Sequence, residues 1–296
     1  MNAQENILPI EGLGHVIAQQ DGRLGSLLME DGKLGAGDVE RVLAAQRIDG
    51  LRFGETAIAL GLITEEDLRR AVAKQYGLPH LPLGNESISR ELVVAYEPFD
   101  PRAEELRALR TQLLIRWSKA GIRHRVLAVV SPRSGEGRSY VAANLAVVFS
   151  QLGERTLLID ADLRTPRQHR IFNIPDRIGL SAVLSGRAGR AAMVPVPAFG
   201  TLSLLPAGAC PPNPQELLLR PAFATLLEGL RTEFDVILFD TPPAKLYADA
   251  HSLAFRAGSV MMLARKDHTR LADTTSVIRE LSDTGARIVG TVFNAF

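Results

Sequence analysis

The chain has 296 residues, 46% of them hydrophobic, which is enough for one sizeable α/β domain and a smaller companion. Its 34 basic and 33 acidic residues leave a formal charge of +1, so nothing suggests a whole-molecule attraction to nucleic acid or anionic lipid. The single cysteine, Cys210, excludes an internal disulfide and suits a reducing cytosol. No stretch approaches the roughly 20 apolar residues that a membrane-spanning helix needs. The opening MNAQENILPIEG does not have the basic and then apolar pattern of a secretory leader. A cytoplasmic location is expected, with any membrane role supplied through a partner.

The first predicted elements come from an internal repeat. Arg23-Leu24-Gly25 returns 29 residues later as Arg52-Phe53-Gly54, and at that offset Gly32 matches Gly61, Leu34 matches Ile63, Asp38 matches Asp67 and Gln46 matches Gln75. Each copy reads as a short amphipathic helix, a glycine turn and a second helix starting near Gly37 or Thr64. Thr64 followed by Glu65, Glu66 and Asp67 is an N-cap with acids in the first turn, where the helix dipole favours them. Two such pairs predict a small helical domain over residues 1–80. Residues 81–102 mix Pro, Gly and Ser with a short apolar run and read as a linker partly laid against a domain. The third region, 103–296, opens with a helical pattern over 103–119 that puts Leu106, Leu109, Leu113 and Leu114 on one face.

From there the chain alternates. RVLAVV (125–130), RTLLID (155–160), LSLLP (202–206), DVILFD (235–240), SVMMLA (259–264) and RIVGTVF (287–293) are predicted strands, most of them separated by helical stretches or glycine turns. Apolar runs alternating with helices predict an α/β fold, a doubly wound and mostly parallel sheet covered on both faces.

Chemistry gathers at the ends of these strands. Strand 125–130 runs into Ser131-Pro132-Arg133-Ser134-Gly135-Glu136-Gly137-Arg138-Ser139, followed by a helix. A polyphosphate needs inward-pointing backbone N–H groups and a helix N-terminus, and Gly135 and Gly137 permit the backbone such a nest requires. Ser139 stands where a hydroxyl could ligate Mg²⁺. Asp160 and Asp162 end one strand and Asp240 ends another. Ligands of open α/β sheets bind at such carboxyl ends, and carboxylates there can hold Mg²⁺ or polarise a hydroxyl.

Together these motifs resemble those of bacterial tyrosine autokinases, the partners of polysaccharide chain-length determinants. The resemblance rests on Ser-Gly-Glu-Gly-Arg-Ser at 134–139, Asp160-x-Asp162-x-Arg164, and Phe239-Asp240-Thr241-Pro242-Pro243 with Asp249-Ala250. Glu104-x-x-Arg107-x-x-Arg110, Gly179-Leu180-Ser181, Pro211 to Leu218 and Gly290 to Asn294 agree with it, so it covers about residues 97 to 296. It implies an ATP-binding protein-tyrosine kinase with Mg²⁺, acting in exopolysaccharide chain-length control and export. It further implies a cytoplasmic protein recruited to the inner face of the membrane by a chain-length determinant. Carried over residue by residue, it assigns nucleotide binding to Ser134, Gly135, Glu136, Gly137, Arg138, Ser139, Tyr140 and Asn294. Metal binding goes to Ser139, Asp160 and Asp240, and catalysis to Asp160, Asp162 and Arg138. Glu104, Arg107 and Arg110 are implied to build a homo-oligomer.

Three departures bear on activity. Arg138 replaces the lysine of the loop, and a planar guanidinium is a poor substitute for a compact ammonium between phosphates. Tyr140 follows Ser139 where the family has a small hydroxyl residue. The four tyrosines, Tyr76, Tyr96, Tyr140 and Tyr247, are unclustered, so tail autophosphorylation is not expected. Two other readings stay open: a nucleotide-binding regulator with weakened catalysis, and a partitioning or division-site ATPase. In that superfamily a second, trans-acting lysine falls at Arg133, which also reads simply as a solvated loop residue.

The repeat resembles the N-terminal domains of type II secretion and pilus ATPases, through Arg-Leu-Gly-x-x-Leu, Gly32 and the closing Gln46. That resemblance implies cyclic di-GMP recognition at Arg23 and Arg52, with Gly25 and Gly54 letting the ligand approach the backbone. A purely structural docking domain is the alternative.

Overall fold

The computed structural model describes residues 23–75, 81, 88–121 and 125–295, and Tyr76 lies outside them. The chain divides into two compact units, 1–80 and 81–296.

In the first unit, helical residues 23–30 precede α1 (Ala36–Asp49), α2 (Phe53–Ala59) and α3 (Glu65–Gln75). The repeat is carried by equivalent atoms. Gly32 and Gly61 both take positive φ, 68° and 66°, and end the first helix of their copies. Asp38 Oδ2 accepts from the N–H of Gly35 at 3.0 Å, and Asp67 Oδ2 accepts from that of Thr64 at 3.0 Å. Leu24, Leu28, Val42, Phe53, Ala57 and Ala71 form the core. The glycines serve this packing. A Cβ on Gly25 would lie 3.3 Å from the Phe53 ring, and one on Gly54 would lie 2.4 Å from Leu68 Cδ1. The expectation that they admit a ligand is therefore corrected: neighbouring side chains already fill that space.

The second unit is built on a seven-stranded sheet in the order β3-β4-β2-β5-β1-β6-β7. The strands are β1 (Arg125–Val130), β2 (Thr156–Asp160), β3 (Val194–Pro195), β4 (Leu202–Leu205), β5 (Val236–Asp240), β6 (Ser259–Arg265) and β7 (Arg287–Asn294). All neighbours are parallel except β3 with β4. The two-residue β3 was not among the expected strands; it is too short to give a periodic signal.

Successive strand residues face opposite layers. Leu127, Val129, Leu158 and Leu238 pack on one side with α4 (Pro101–Lys119) and α5 (Arg138–Gln151). Val126, Ala128, Ile159 and Phe239 pack on the other, with α6 (Pro221–Glu233), α7 (Asp249–Ala257) and α8 (Leu271–Asp283). Burial on both faces explains why the strands read as continuous apolar runs.

Residues 88–100 belong to this second unit. Leu92, Val93, Val94 and Ala95 are buried in its core. Asn144 of α5 holds them, accepting from Val94 N–H at 3.3 Å and donating to the Glu91 carbonyl at 2.9 Å.

For the site, the decisive feature is register. Asp160 and Asp240 are paired positions on adjacent parallel strands, and β5 separates β2 from β1. The chain thus skips a strand between β1 and β2, which opens a crevice at the carboxyl ends of the sheet.

Candidate nucleotide-binding site

Between β1 and α5 the backbone wraps around that crevice. Gly135 and Gly137 take φ of 74° and 91°, a region open to glycine at little cost. Ser134 to Ser139 line one wall of a cleft of about 720 Å³, and Asp162, Arg164 and Arg167 line the other. The loop is held from behind. Glu136 turns its side chain inward, accepting from Arg133 N–H at 2.7 Å and from the Thr269 hydroxyl. Asn294 Nδ2 donates to the Glu136 carbonyl at 3.2 Å. Only the Glu136 backbone is thus placed to meet a phosphate.

Arg138 is also turned inward. Nε donates to the Thr241 carbonyl at 2.7 Å, and Nη1 donates to Ser131 Oγ and to the Arg133 carbonyl at 2.6 Å. Burial pulls its pKa down, while Asp240, Asp162 and Glu136 oppose the shift. The guanidinium braces the loop against the end of β5.

The acids divide into two kinds. Asp162 caps its own turn, accepting from Arg164 N–H at 3.1 Å, Thr165 N–H at 2.8 Å and the Thr165 hydroxyl at 2.9 Å. Asp160 and Asp240 are fully buried. Asp160 Oδ2 accepts from the N–H groups of Arg167 and Gln168 at 3.0 and 2.9 Å, and Asp240 Oδ2 accepts from Gln168 Nε2 at 2.8 Å. The Oδ1 atom of each has no partner. Burial raises both carboxyls, and for Asp160 the charge of Asp240 adds to the rise.

The orphaned oxygens of Asp160 and Asp240, with the Ser139 hydroxyl in the first turn of α5, are the kind of donors a hydrated magnesium ion takes. Such an ion takes one or two carboxylates and fills its other positions with water and phosphate. Among the described residues there is no cluster of three or more His, Cys, Asp or Glu.

Residues 122–294 match the family model described as ParA: NUBPL iron-transfer P-loop NTPase. The tyrosine-protein kinase YwqD of Bacillus subtilis strain 168 is 31% identical over 207 residues, 70% of this chain and 86% of that protein. The chain belongs to the bacterial tyrosine-protein kinase family. Its relative EpsB of Ralstonia solanacearum is 37% identical over 67% of this chain, which spans only 26% of EpsB's length. Among solved structures, the chimerical protein CapA2B2 is 31% identical, with a TM-score of 0.66 over 76% of this chain and 98% of that one.

Other features noted in the sequence sit around the tyrosine-kinase fold as follows. Tyr140, with Asn294 and Leu106, lines a second cleft of about 700 Å³ that shares Gly135 and Gly137 with the first. Arg133 is tied within the chain to Asp273, at 2.9 Å from Nε. Arg107 pairs with Glu104 at 3.1 Å and donates to the Pro98 carbonyl, while Arg110 Nη1 donates to the Val148 carbonyl at 2.8 Å. Arg164 forms a fork with buried Asp249, at 2.6 Å from Nε, and lies 4.1 Å from the centre of the Tyr247 ring.

Gln168 went unrecognised in the sequence. It follows Asp162 by six residues and is fully buried, and no motif marks the position.

Proposed function

We propose that this protein binds ATP with Mg²⁺ in the crevice and transfers the γ-phosphoryl group to a tyrosyl hydroxyl, in exopolysaccharide chain-length control and export. The observation that carries the reading is the pairing of Asp160 with Asp240, each with one unpartnered oxygen, opposite a glycine loop that opens a helix. Backbone N–H groups of 134–139 cradle the phosphates. Mg²⁺, held by Ser139, Asp240 and Asp160, supplies charge neutralisation at the phosphates. Asp162 lines the cleft and is the base, because Asp160 is fully buried with its Oδ2 held by two backbone N–H groups. The tyrosyl oxygen bonds to phosphorus, the bond to the β,γ-bridging oxygen breaks, and the tyrosyl proton passes to Asp162.

The protein is cytoplasmic and is recruited to the membrane by a chain-length determinant. It assembles through Glu104, Arg107 and Arg110, with the internal bonds of the two arginines rearranged. The N-terminal unit is a regulatory or docking module whose ligand is cyclic di-GMP at Arg23 and Arg52. Incubation with labelled ATP, Mg²⁺ and a tyrosine-bearing partner tests the kinase; nucleotide binding without any transfer would remove it. One observation favours a second reading, a nucleotide-sensing regulator: the Arg138 donors Nε and Nη1 are already committed to the protein.

A further inference from the structure

One buried amide joins three elements at the carboxyl end of the sheet, beneath the cleft. The Gln168 backbone N–H donates to Asp160 Oδ2 at 2.9 Å, where β2 ends. Its Nε2 donates to Asp240 Oδ2 at 2.8 Å, where β5 ends, and to the Ser139 carbonyl at 3.0 Å, in the first turn of α5. Its own Oε1 has no partner. A glutamine in a core costs desolvation and side-chain entropy, and an orphaned oxygen adds to the cost. A leucine would fill similar space without that penalty, so stability alone does not account for the residue.

What the amide does is fix orientation. Two buried carboxyls on neighbouring strands repel when ionised, and each can rotate about its χ2 bond. Nε2 holds Asp240 by Oδ2, which leaves Oδ1 as the free atom. The backbone N–H groups of Arg167 and Gln168 do the same for Asp160.

We propose that Gln168 is a positioning residue of the nucleotide site, holding Asp240 and Asp160 so that their free oxygens receive a hydrated divalent cation arriving with the nucleotide. This rests on the nucleotide reading above. Groups that orient metal-facing carboxylates typically matter about 10- to 100-fold in metal affinity.

The test uses the full chain and a fluorescent ADP analogue, titrated with and without Mg²⁺, for the unsubstituted protein, Q168L and Q168E. Melting temperatures serve as a check on folding. The expected result is a Mg²⁺-linked gain in nucleotide affinity, taken for each protein against its own metal-free value, cut about tenfold in both variants. A gain in Q168L equal to that of the unsubstituted protein overturns the inference. If neither variant folds, the side-chain amide resonance of Gln168 in the isotope-labelled unsubstituted protein decides. It should move when Mg²⁺ is added to nucleotide-saturated protein, and an unmoved signal overturns the assignment. An unsubstituted protein with no Mg²⁺-dependent nucleotide binding fails earlier and differently, overturning both the site reading and this inference.

Discussion

Arg138 Nε donates to the carbonyl of Thr241 at 2.7 Å, so the loop cation is bonded to the residue directly after Asp240. The same guanidinium reaches Ser131 Oγ and the Arg133 carbonyl. Its planar fork suits two directions within the protein better than one point between phosphates. Lysine could not span all three acceptors, and its single ammonium would be freer to turn toward a ligand. Arg138→Lys should therefore raise phosphoryl transfer about tenfold, or ~1.4 kcal/mol in the barrier. Transfer rates of the two proteins at saturating ATP check this, and equal rates would show that the arginine is not the limiting departure.

Arg138→Ala tests the bracing role separately. It leaves the buried Thr241 carbonyl without this partner, a loss of about 1–3 kcal/mol, while the Arg133 carbonyl keeps its bond from the Ser131 hydroxyl at 3.0 Å. Urea unfolding of the second unit should show it, with the slope unchanged. A midpoint equal to that of the parent would mean that water replaces the guanidinium at no cost.

Gly54 and Gly25 occupy equivalent places in the repeat but not equivalent spaces. A Cβ at Gly54 would lie 2.4 Å from Leu68 Cδ1, whereas at Gly25 the nearest atom is 3.3 Å away. Overpacking costs about 1–3 kcal/mol, offset by up to ~1 kcal/mol of helix propensity gained from alanine. Gly54→Ala should thus destabilise the first unit by about 1 kcal/mol, and Gly25→Ala by less. Hydrogen exchange across α2 and α3 reads the difference. If both variants are fully stable, the glycines are not there for packing.

The sequence revealed most where burial is two-sided. Continuous apolar runs such as 236–239 have the length of buried strands and, alternating with helical stretches, point to a parallel sheet, and an acid at the end of such a run marks the sheet's carboxyl edge. Hence Asp160, Asp240 and the loop at 134–139 were legible before any coordinates. The rest depends on contacts between distant residues. Nothing local signals that Gln168 meets Asp240 across 72 positions, or that Arg138 meets Thr241 across 103. Residues 88–96 read as a connector because their polar and proline-rich flanks outweigh a short apolar core. They are buried against the apolar core, and their backbone is held by two polar residues of α5, Asn144 and Gln151, far away in sequence.

Lys33 and Asp67 come from different copies of the repeat and pair at 2.8 Å. Burial alone would raise the Asp67 carboxyl, but Lys33 and the bonds from Thr64 outweigh it and hold the pKa at about 2. A carboxyl lower in the folded chain than in the unfolded one stabilises the fold at every pH above the unfolded value, 3.8 here. That contribution fades as the pH falls from 3.8 toward 2. Because Lys33 is substantially exposed, Lys33→Met should cost only about 1 kcal/mol at neutral pH. The cost should shrink through that acid window. Circular dichroism melts at pH 7 and pH 2 check it, and a pH-independent difference would point to packing instead of charge.

Arg164 and Asp249 form the most buried ion pair on the wall of the crevice, the aspartate side chain being 1% exposed. Removing one partner of a buried pair typically costs about 3–5 kcal/mol, because the other charge is left uncompensated. Here Asp249 is the first residue of α7, where the helix dipole recovers about 0.3–1 kcal/mol. The arginine is itself 29% exposed, which lowers the value of the pair further. Arg164→Met should therefore destabilise the second unit by about 2–3 kcal/mol. Adding Asp249→Asn removes the stranded charge, so the double variant should regain more than half of that loss. Nucleotide affinity should not return with it, since Arg164 lines the cleft beside the loop and a methionine offers phosphate nothing. A double variant no more stable than Arg164→Met would place the cost in the lost stacking on Tyr247 and not in the stranded carboxylate.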